Sequence, residues 1–288
     1  MISQQNEIRK KLHKFRKQKS TKVLQWYGYL TAKQRMFPDF IIVGSQRSGT
    51  TSLYHYLTDH PQINAAVVKE IHFFDLAYQK GLNWYRGNFP WLPAKNGESG
   101  MLTGEASPYY IFHPHAPARI ARYFPAMKII VLMRNPVDRA YSHYQNEVKL
   151  GFERLSFEEA VEQENSRING EIEIMLRDEK YNSFNHRHYS YVSRGIYVEQ
   201  LKNLMKSFPR EQVHFIRSED FFASPQKVLS QVLDFLSLPD WKYPDFKVHN
   251  RLQYAGMRQE TRDRLSAYFE PFNLALNKYL GMDFGWNR

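Results

Sequence analysis

The chain has 288 residues, contains no cysteine and carries a net charge of +11. This length can bury a sizeable core, and the lack of cysteine excludes disulfides, thiolate zinc sites and cysteine nucleophiles. No run of about 18 apolar residues exists, and the basic N-terminus lacks the apolar core of a signal peptide, so we expect no membrane span and a cytoplasmic protein.

The positive charge is concentrated at the N-terminus. Residues 1–36 hold ten Lys and Arg but one acid, so this segment carries +9 and the rest of the chain +2. We therefore divide the chain into a basic arm, 1–36, and one domain, 37–288. Apolar residues recur at helical spacing along the arm, from Ile8 to Leu30. Two interpretations stay open: this helix lies on an anionic membrane or a polyanion, or its apolar stripe packs on the domain.

The domain begins with a short apolar run, 40–43, which is typical of a strand buried on both faces. Gly44 and Gly49 bracket the polar loop that follows, and a helical pattern begins after it. Strand, glycine-bracketed loop and helix together point backbone N–H groups at an anion. The spacing matches a phosphate-binding P-loop, but Thr50 stands where the P-loop lysine should be. The candidate phosphate ligands are Arg47, Ser48, Gly49, Thr50, Thr51 and Ser52.

Further apolar runs alternate with helical patterns along the rest of the domain. The runs at 64–68, 101–107, 128–133 and 213–217 predict strands. Helices are predicted at 117–123, 156–164, 171–177, 195–208, 227–236 and 258–279. We expect the last helix to break at Pro271, and we expect residues 186–188 to lie in an irregular stretch that can meet an acidic chain. The pattern predicts a single α/β domain with a central parallel sheet flanked by helices, as in P-loop-like folds.

A second candidate phosphate site follows the run at 128–133. Arg134 comes directly after this predicted strand, and Ser142 lies in the next helix. Arginine binds phosphate through its planar fork, although an arginine at a strand end is often only a surface ion pair. Together with the glycine loop, this pair predicts a nucleotide with two separate phosphate groups.

Glu70 and His72 follow the predicted strand 64–68. On an extended segment, residues two apart face the same way, so both side chains can project into the cleft. Glu70 can then act as a general base, with its pKa raised by burial beside two phenylalanines. The alternative is that Glu70 pairs with Lys69 or an arginine and that His72 is a core histidine.

Three motifs resemble those of the PAPS-dependent sulfotransferases, in particular the Golgi-type heparan sulfate sulfotransferase domain and its bacterial relatives. The motifs are Gly44-Ser-Gln-Arg-Ser-Gly-Thr-Thr-Ser-Leu53, Glu70-Ile-His-Phe-Phe-Asp75 and Arg134-Asn-Pro-Val-Asp-Arg-Ala-Tyr-Ser142. The resemblance continues through Ser193-Arg-Gly-Ile-Tyr197 and the C-terminal Phe284-Gly-Trp286, so it covers the chain from about residue 38 onward.

This resemblance implies an enzyme that moves the sulfuryl group of 3′-phosphoadenosine 5′-phosphosulfate (PAPS) to an acceptor hydroxyl and releases PAP, without a metal. Residues 47–52 would bind the 5′-phosphosulfate, and Arg134 with Ser142 the 3′-phosphate. Glu70 takes the position of the catalytic base, Arg47 that of the basic residue on the transferring group, and His72 that of a supporting histidine. The implied reaction is an in-line displacement at sulfur.

The chain also departs from the heparan sulfate enzymes. Ala106 stands where they carry a lysine, and their late loop over the 3′-phosphate has 250–254 as its candidate substitute, with Arg251 as the ligand. Their cysteine pair and membrane anchor are absent, so we expect a bacterial-type enzyme without an anchor. A carbohydrate hydroxyl is the preferred acceptor, ahead of a small-molecule or lipid hydroxyl and of tyrosine, and we expect no nucleic-acid partner.

Two alternatives belong to other functional classes. A P-loop kinase or other phosphotransferase needs a loop lysine and a strand-end acid for Mg²⁺. This chain has Thr50 and Arg134 at those places. A non-catalytic polyanion- or membrane-binding protein would instead act through the +9 arm.

Overall fold

The computed structural model describes residues 23–93, 100–247 and 256–287. Its strands are β1 Phe40–Gly44, β2 Ile63–Ala65, β3 Leu102–Ala106, β4 Lys128–Met133 and β5 Val213–Arg217. They form one parallel sheet in the order β2-β3-β1-β4-β5. The predicted single α/β domain with a central parallel sheet is confirmed, and a strand is present in each region where the apolar runs predicted one.

The core lies on both faces of this sheet, because successive side chains of a strand point to opposite faces. Ile41 and Val43 of β1 face one apolar cluster, whereas Phe40 and Ile42 face another. Strand β1 is therefore apolar at every position rather than at alternate ones. Gly104 of β3 allows this packing, since a Cβ there would come within 2.5 Å of the Phe40 ring.

Helices cover the two faces and carry the remaining core residues. They are α1 Thr50–Thr58, α2 Leu82–Arg86, α3 Ala116–Tyr123, α4 Pro136–Leu150, α5 Phe157–Ile168, α6 Glu171–Arg177, α7 Phe184–His188, α8 Tyr197–Met205, α9 Ser218–Ala223, α10 Pro225–Phe235 and α11 Gln259–Leu280. Residues 23–30, which precede the sheet, are also helical. Within the described ranges, every helix is either too short or too polar to cross a membrane.

Two sequence predictions about local structure are wrong. Helix α11 continues through Pro271 without a break. Phe269 and Leu276, on either side of the proline, are both buried where α11 packs on α4 and α8, and this packing outweighs the lost backbone hydrogen bond. Residues 184–188 form the one-turn helix α7 rather than an irregular stretch, and His186 and His188 are buried in it. These two histidines are therefore not available to an acidic chain.

Candidate active site

The polar loop between β1 and α1 lies at the carboxyl edge of the sheet, where parallel α/β folds place their ligands. Gly49 precedes α1 with φ of 97°, and a Cβ there would lie 2.9 Å from the Phe222 ring. The Ser48 hydroxyl is hydrogen bonded to Ser45 Oγ at 2.6 Å, and Ser218 Oγ donates to the Ser48 carbonyl at 2.8 Å. The hydroxyl and the carbonyl of Ser48 thus hold the loop in place, and the N–H groups at the start of α1 are suited to an anion.

The two predicted phosphate sites meet in one cleft. Arg47 Nε in the loop donates to Ser142 Oγ on α4 at 3.0 Å, and Arg134 Nη1 reaches the Arg47 carbonyl at 3.4 Å. The orphan N–H groups at the start of α4 are capped by Asn135, whose side chain accepts from two of them. Two guanidinium groups and a helix N-terminus in one cleft give it a positive potential that favours a ligand with several negative charges.

Glu70, His72 and Asp75 form a chain of ionisable side chains at the same edge of the sheet, because the His72 N–H donates to Ser107 Oγ directly after β3 and the Ser107 N–H donates to the Ile42 carbonyl of β1. His72 Nε2 lies 3.6 Å from Glu70 Oε2, and His72 Nδ1 lies 2.7 Å from Asp75 Oδ2. Lys69 Nζ also contacts Glu70 Oε1. Glu70 and His72 lie close together, as predicted, but the predicted reason, an extended backbone, is wrong. After β2 the chain leaves the sheet, and Glu70 and His72 have φ of 63° and 54° rather than extended backbone.

The electrostatics of this chain also differ from the prediction. Burial by itself would raise the pKa of Glu70, but the hydrogen bond from His72 and the charge of Lys69 outweigh it and hold that pKa at about 2. Burial would lower the pKa of His72, but Asp75 and then Glu70 raise it to about 10. The expected upward shift for Glu70 is therefore wrong, since its side chain is 43 % exposed and lies between two cations. At neutral pH Glu70 is ionised and His72 is protonated.

A buried network supports this segment from below. The His72 backbone N–H donates to Ser107 Oγ at 3.1 Å, and Ser107 Oγ donates to Glu105 Oε2 at 2.8 Å. Tyr85 and Tyr110 donate to the other Glu105 oxygen at 2.7 and 3.1 Å. Glu105 is fully buried, and its burial outweighs these hydrogen bonds and raises its pKa to about 7. The network fixes the backbone on which Glu70 and His72 are placed.

Arg194 supports the glycine loop from the opposite side. It is fully buried between the rings of Tyr109 and Phe112, and its guanidinium donates to the Gln46 side chain in the loop. It also donates to the carbonyls of residues 186 and 187 at 3.0 and 2.8 Å. Arg194 therefore connects the loop to α7. This contact gives a physical role to the motif Ser193-Arg-Gly-Ile-Tyr197.

Backbone conformation separates the candidate catalytic residues from the rest of the described chain. Four non-glycine residues there have positive φ, and three of them are Arg47, Glu70 and His72. Such conformations cost free energy and persist where the surroundings hold them, which is why they concentrate at functional sites. No sequence pattern predicted this feature.

The structure brings most of the predicted site residues together and adds several that the sequence reasoning missed. Arg251 and the segment 250–254 lie outside the described residues. The missed residues are Asp75, Glu105, Ser107 and Arg194, which position the candidate catalytic groups. The sequence could have indicated Asp75, because it lies three residues after His72 in the same motif. It could also have indicated Glu105, because a carboxylate within a predicted strand is unusual.

Comparisons with known proteins show which family the chain belongs to. The chain matches the family described as "Sulfotransferase domain" over residues 37–270. It is 30% identical to the membrane-associated sulfotransferase kil1 of Dictyostelium discoideum, in an alignment that covers 86% of this chain and 66% of that protein. It is 29% identical to heparan sulfate glucosamine 3-O-sulfotransferase 3B1 of Homo sapiens, with 88% of this chain and 66% of that protein covered. The chain thus spans about two thirds of the length of these two relatives.

A solved structure gives the same result for the fold. The crystal structure of a sulfotransferase from Alicyclobacillus acidocaldarius is 29% identical in sequence and superposes with a TM-score of 0.71, covering 88% of this chain and 100% of that one. The family match extends over most of the chain and includes the loop, Glu70, His72, Arg134 and Ser142. This chain belongs to the sulfotransferase family.

Proposed function

We propose that this protein transfers the sulfuryl group of PAPS to an acceptor hydroxyl by in-line displacement, with Glu70 as the general base. The observation that carries the proposal is that Glu70 and His72 lie at the same carboxyl edge of the sheet as Arg47, Arg134 and Ser142. The three candidate catalytic residues also share a positive φ. A single cleft with two arginines fits a nucleotide that bears both a 5′-phosphosulfate and a 3′-phosphate.

The residues present fit such a ligand. The α1 N-terminus and Arg47 are suited to the phosphosulfate, and Arg134 with Ser142 to the 3′-phosphate. The glycine loop needs no lysine for this ligand, because PAPS has no γ-phosphate. A kinase would need an acidic Mg²⁺ ligand after β4, where this chain has Arg134.

The proposed step conserves atoms and charge. Glu70 accepts the proton of the acceptor hydroxyl while that oxygen bonds to sulfur. The bond from sulfur to the 5′-phosphate oxygen breaks, and PAP leaves with the electron pair. Arg47 and the N–H groups of α1 stabilise the negative charge on the leaving group.

The low pKa of Glu70, about 2, is compatible with this role. The hydroxyl becomes strongly acidic as its oxygen bonds to sulfur, so a weakly basic carboxylate accepts the proton once bond formation is under way. His72, with a pKa of about 10, is protonated at neutral pH and orients the Glu70 carboxylate instead of acting as the base. Asp75 holds His72 in that state through Nδ1.

For the acceptor we propose a carbohydrate hydroxyl. Relatives named for heparan sulfate, such as the human 3-O-sulfotransferase 3B1, support a glycan acceptor as a class. Ala106 replaces the lysine of those enzymes and is fully buried at the end of β3, so the chain lacks one cationic group for an acidic glycan. We therefore do not extend the proposal to heparan sulfate itself.

Two measurements test the proposal. Calorimetric binding of PAP, ADP and ATP should show preference for PAP, and equal affinity for ATP would contradict the nucleotide assignment. Glu70→Gln should keep the PAP affinity and lose roughly 10²–10⁴-fold in sulfuryl transfer from PAPS to a panel of glycan acceptors. Glu270→Gln, an exposed glutamate on α11, is the matched control and should keep full activity. A Glu70→Gln enzyme with normal turnover would move the base to another residue.

A further inference from the structure

The helix formed by residues 23–30 exposes its apolar stripe. Val23, Trp26, Tyr27 and Leu30 are spaced at i, i+3, i+4 and i+7, which places them on one helical face. They are 64, 64, 49 and 60% exposed. A stripe with this spacing ordinarily faces the core of a domain, whereas here it faces outward.

The contacts of the opposite face explain this orientation. A Cβ at Gly28 would lie 2.1 Å from the carbonyl oxygen of Gly87, so the two backbones are in direct contact. Gln25 Nε2 donates to Asn88 Oδ1 at 3.0 Å. Rotating the stripe inward would break both contacts, because only glycine at position 28 permits so close an approach. For residues 23–30, the interpretation in which the stripe packs on the domain is therefore not what the structure shows, and the first part of the predicted stripe, from Ile8 to residue 22, lies outside the described residues.

The exposed apolar surface continues beyond the helix. The Tyr27 ring contacts the Trp91 ring with centroids 6.2 Å apart, and Trp91 and Leu92 are 45 and 50% exposed. We call the surface formed by Val23, Trp26, Tyr27, Leu30, Trp91 and Leu92 the apolar face. Arg35 fixes one side of it, with its guanidinium 4.6 Å from the Trp91 ring centroid. A continuous apolar surface of this kind marks an interaction site.

The charge next to the apolar face indicates what covers it. Residues 1–22, which lead directly into the helix, hold eight Lys and Arg and one acid, a net charge of +7. Basic residues beside exposed Trp, Leu and Val are typical of helices that lie in a membrane interface, and each basic residue near an anionic leaflet contributes about 1 kcal/mol. A sulfated polysaccharide would pair with the charges but leave the apolar side chains in water. A second copy of the chain would bring two segments of +7 together.

We propose that the apolar face docks peripherally on an anionic lipid membrane, with the basic residues 1–22 attracting it to the headgroups. The opposite face of the helix is tied to the domain at Asn88, whose carbonyl accepts from the Val67 N–H at 2.8 Å.

Sedimentation with vesicles tests this, using the full chain. Phosphatidylcholine vesicles with about 30 mol % phosphatidylserine should bind the protein, and pure phosphatidylcholine vesicles should bind it much less. Raising NaCl from about 0.1 to about 0.5 M should weaken the binding. The double variant Trp26→Ser, Leu30→Ser should lower the partition coefficient roughly tenfold or more. It removes two apolar side chains that enter the lipid in the docked state, and it leaves the charge unchanged. The control is Tyr268→Ser, Leu274→Ser on α11, where the side chains are 46 and 55% exposed.

Several results would overturn the proposal. These are no binding of the wild type to anionic vesicles, equal loss of binding in the control variant, and unchanged binding of the Trp26→Ser, Leu30→Ser variant with a wild-type circular dichroism melting curve. Binding to heparin without binding to vesicles would show that the basic residues 1–22 serve to bind a polyanion instead of a membrane. A concentration-dependent dimer that the variant abolishes, again without vesicle binding, would assign the apolar face to a second copy.

Discussion

Replacing Asp75 with asparagine removes the charge that keeps His72 protonated. The Asp75 side chain is fully buried and its Oδ2 lies 2.7 Å from His72 Nδ1. Asparagine keeps the size of the side chain, and its Oδ1 can still accept from the Leu76 N–H, a bond of 2.6 Å in the wild type. Its Nδ2, however, is a donor, so it favours an imidazole whose Nδ1 carries no proton.

The expected change in the pKa of His72 is large. Asp75 is the main group that raises this pKa, against burial, from 6.5 to about 10. In the variant only Glu70 opposes burial, so the pKa should fall from about 10 toward neutrality. His72 acts here in its protonated form, which is populated below the folded-state pKa. Wild-type activity should therefore stay level up to about pH 9, whereas the variant should lose roughly tenfold or more between about pH 6 and pH 8.5.

Two measurements follow this change. Histidine carbon-13 NMR titrates the ring of His72 directly and needs no acceptor. The pH profile of sulfuryl transfer then shows whether the protonated form is the active one. Asp234→Asn, on the exposed side of α10, is the matched control and should leave both curves unchanged. A variant whose His72 still titrates near 10, or whose activity keeps the wild-type profile, would refute the idea that Asp75 sets the state of His72.

Three further changes test other parts of the site. Arg134→Ala should weaken PAP binding by roughly 10- to 100-fold, the usual effect of losing a charge-assisted hydrogen bond, and should abolish the preference for PAP over AMP in calorimetry. Arg264→Ala, at an exposed ion pair on α11, should change neither quantity. Glu105→Gln should flatten the fall in melting temperature between about pH 4.5 and pH 7. Burial raises the pKa of Glu105 from 4.5 to about 7, so its protonated form stabilises the fold fully below pH 4.5, and this stabilisation is lost as the pH rises through 7. An equally steep fall in this variant would mean that another group controls it. Arg194→Lys should keep the buried charge but lose the fork that holds Gln46 and α7, so the KM for PAPS should rise and the melting temperature should fall; an unchanged KM would show that Arg194 does not position the loop.

The sequence predicted which segments form strands, but it did not predict the order of these strands in the sheet. The apolar runs of β1 and β4 became strands because a strand buried on both faces favours apolar side chains at successive positions. Pairing depends on contacts between runs far apart in the chain, such as Phe40 beside Gly104. The register of these pairs followed from side-chain packing that only the folded structure has.

The residues of the candidate site were predicted largely from motifs, but their chemical states were not. The sequence placed Glu70 beside two phenylalanines and predicted a raised pKa. In the folded chain, Lys69 and His72 lie against its carboxylate, and the pKa falls to about 2. A pKa depends on distances of a few ångströms, and those distances depend on a backbone turn that no local pattern indicates.

What the sequence by itself determined is the set of chemical groups: a glycine loop that holds an arginine but no lysine, a second arginine after a strand, and a carboxylate with a histidine two residues away. Its motifs also sufficed to identify the family. Only the tertiary structure decided that the two predicted phosphate sites lie side by side, that Asp75 and Glu105 support the segment of Glu70 and His72, and that the stripe of helix 23–30 faces water. Each of these depends on which distant segments touch, and such contacts come from the packing of the whole chain.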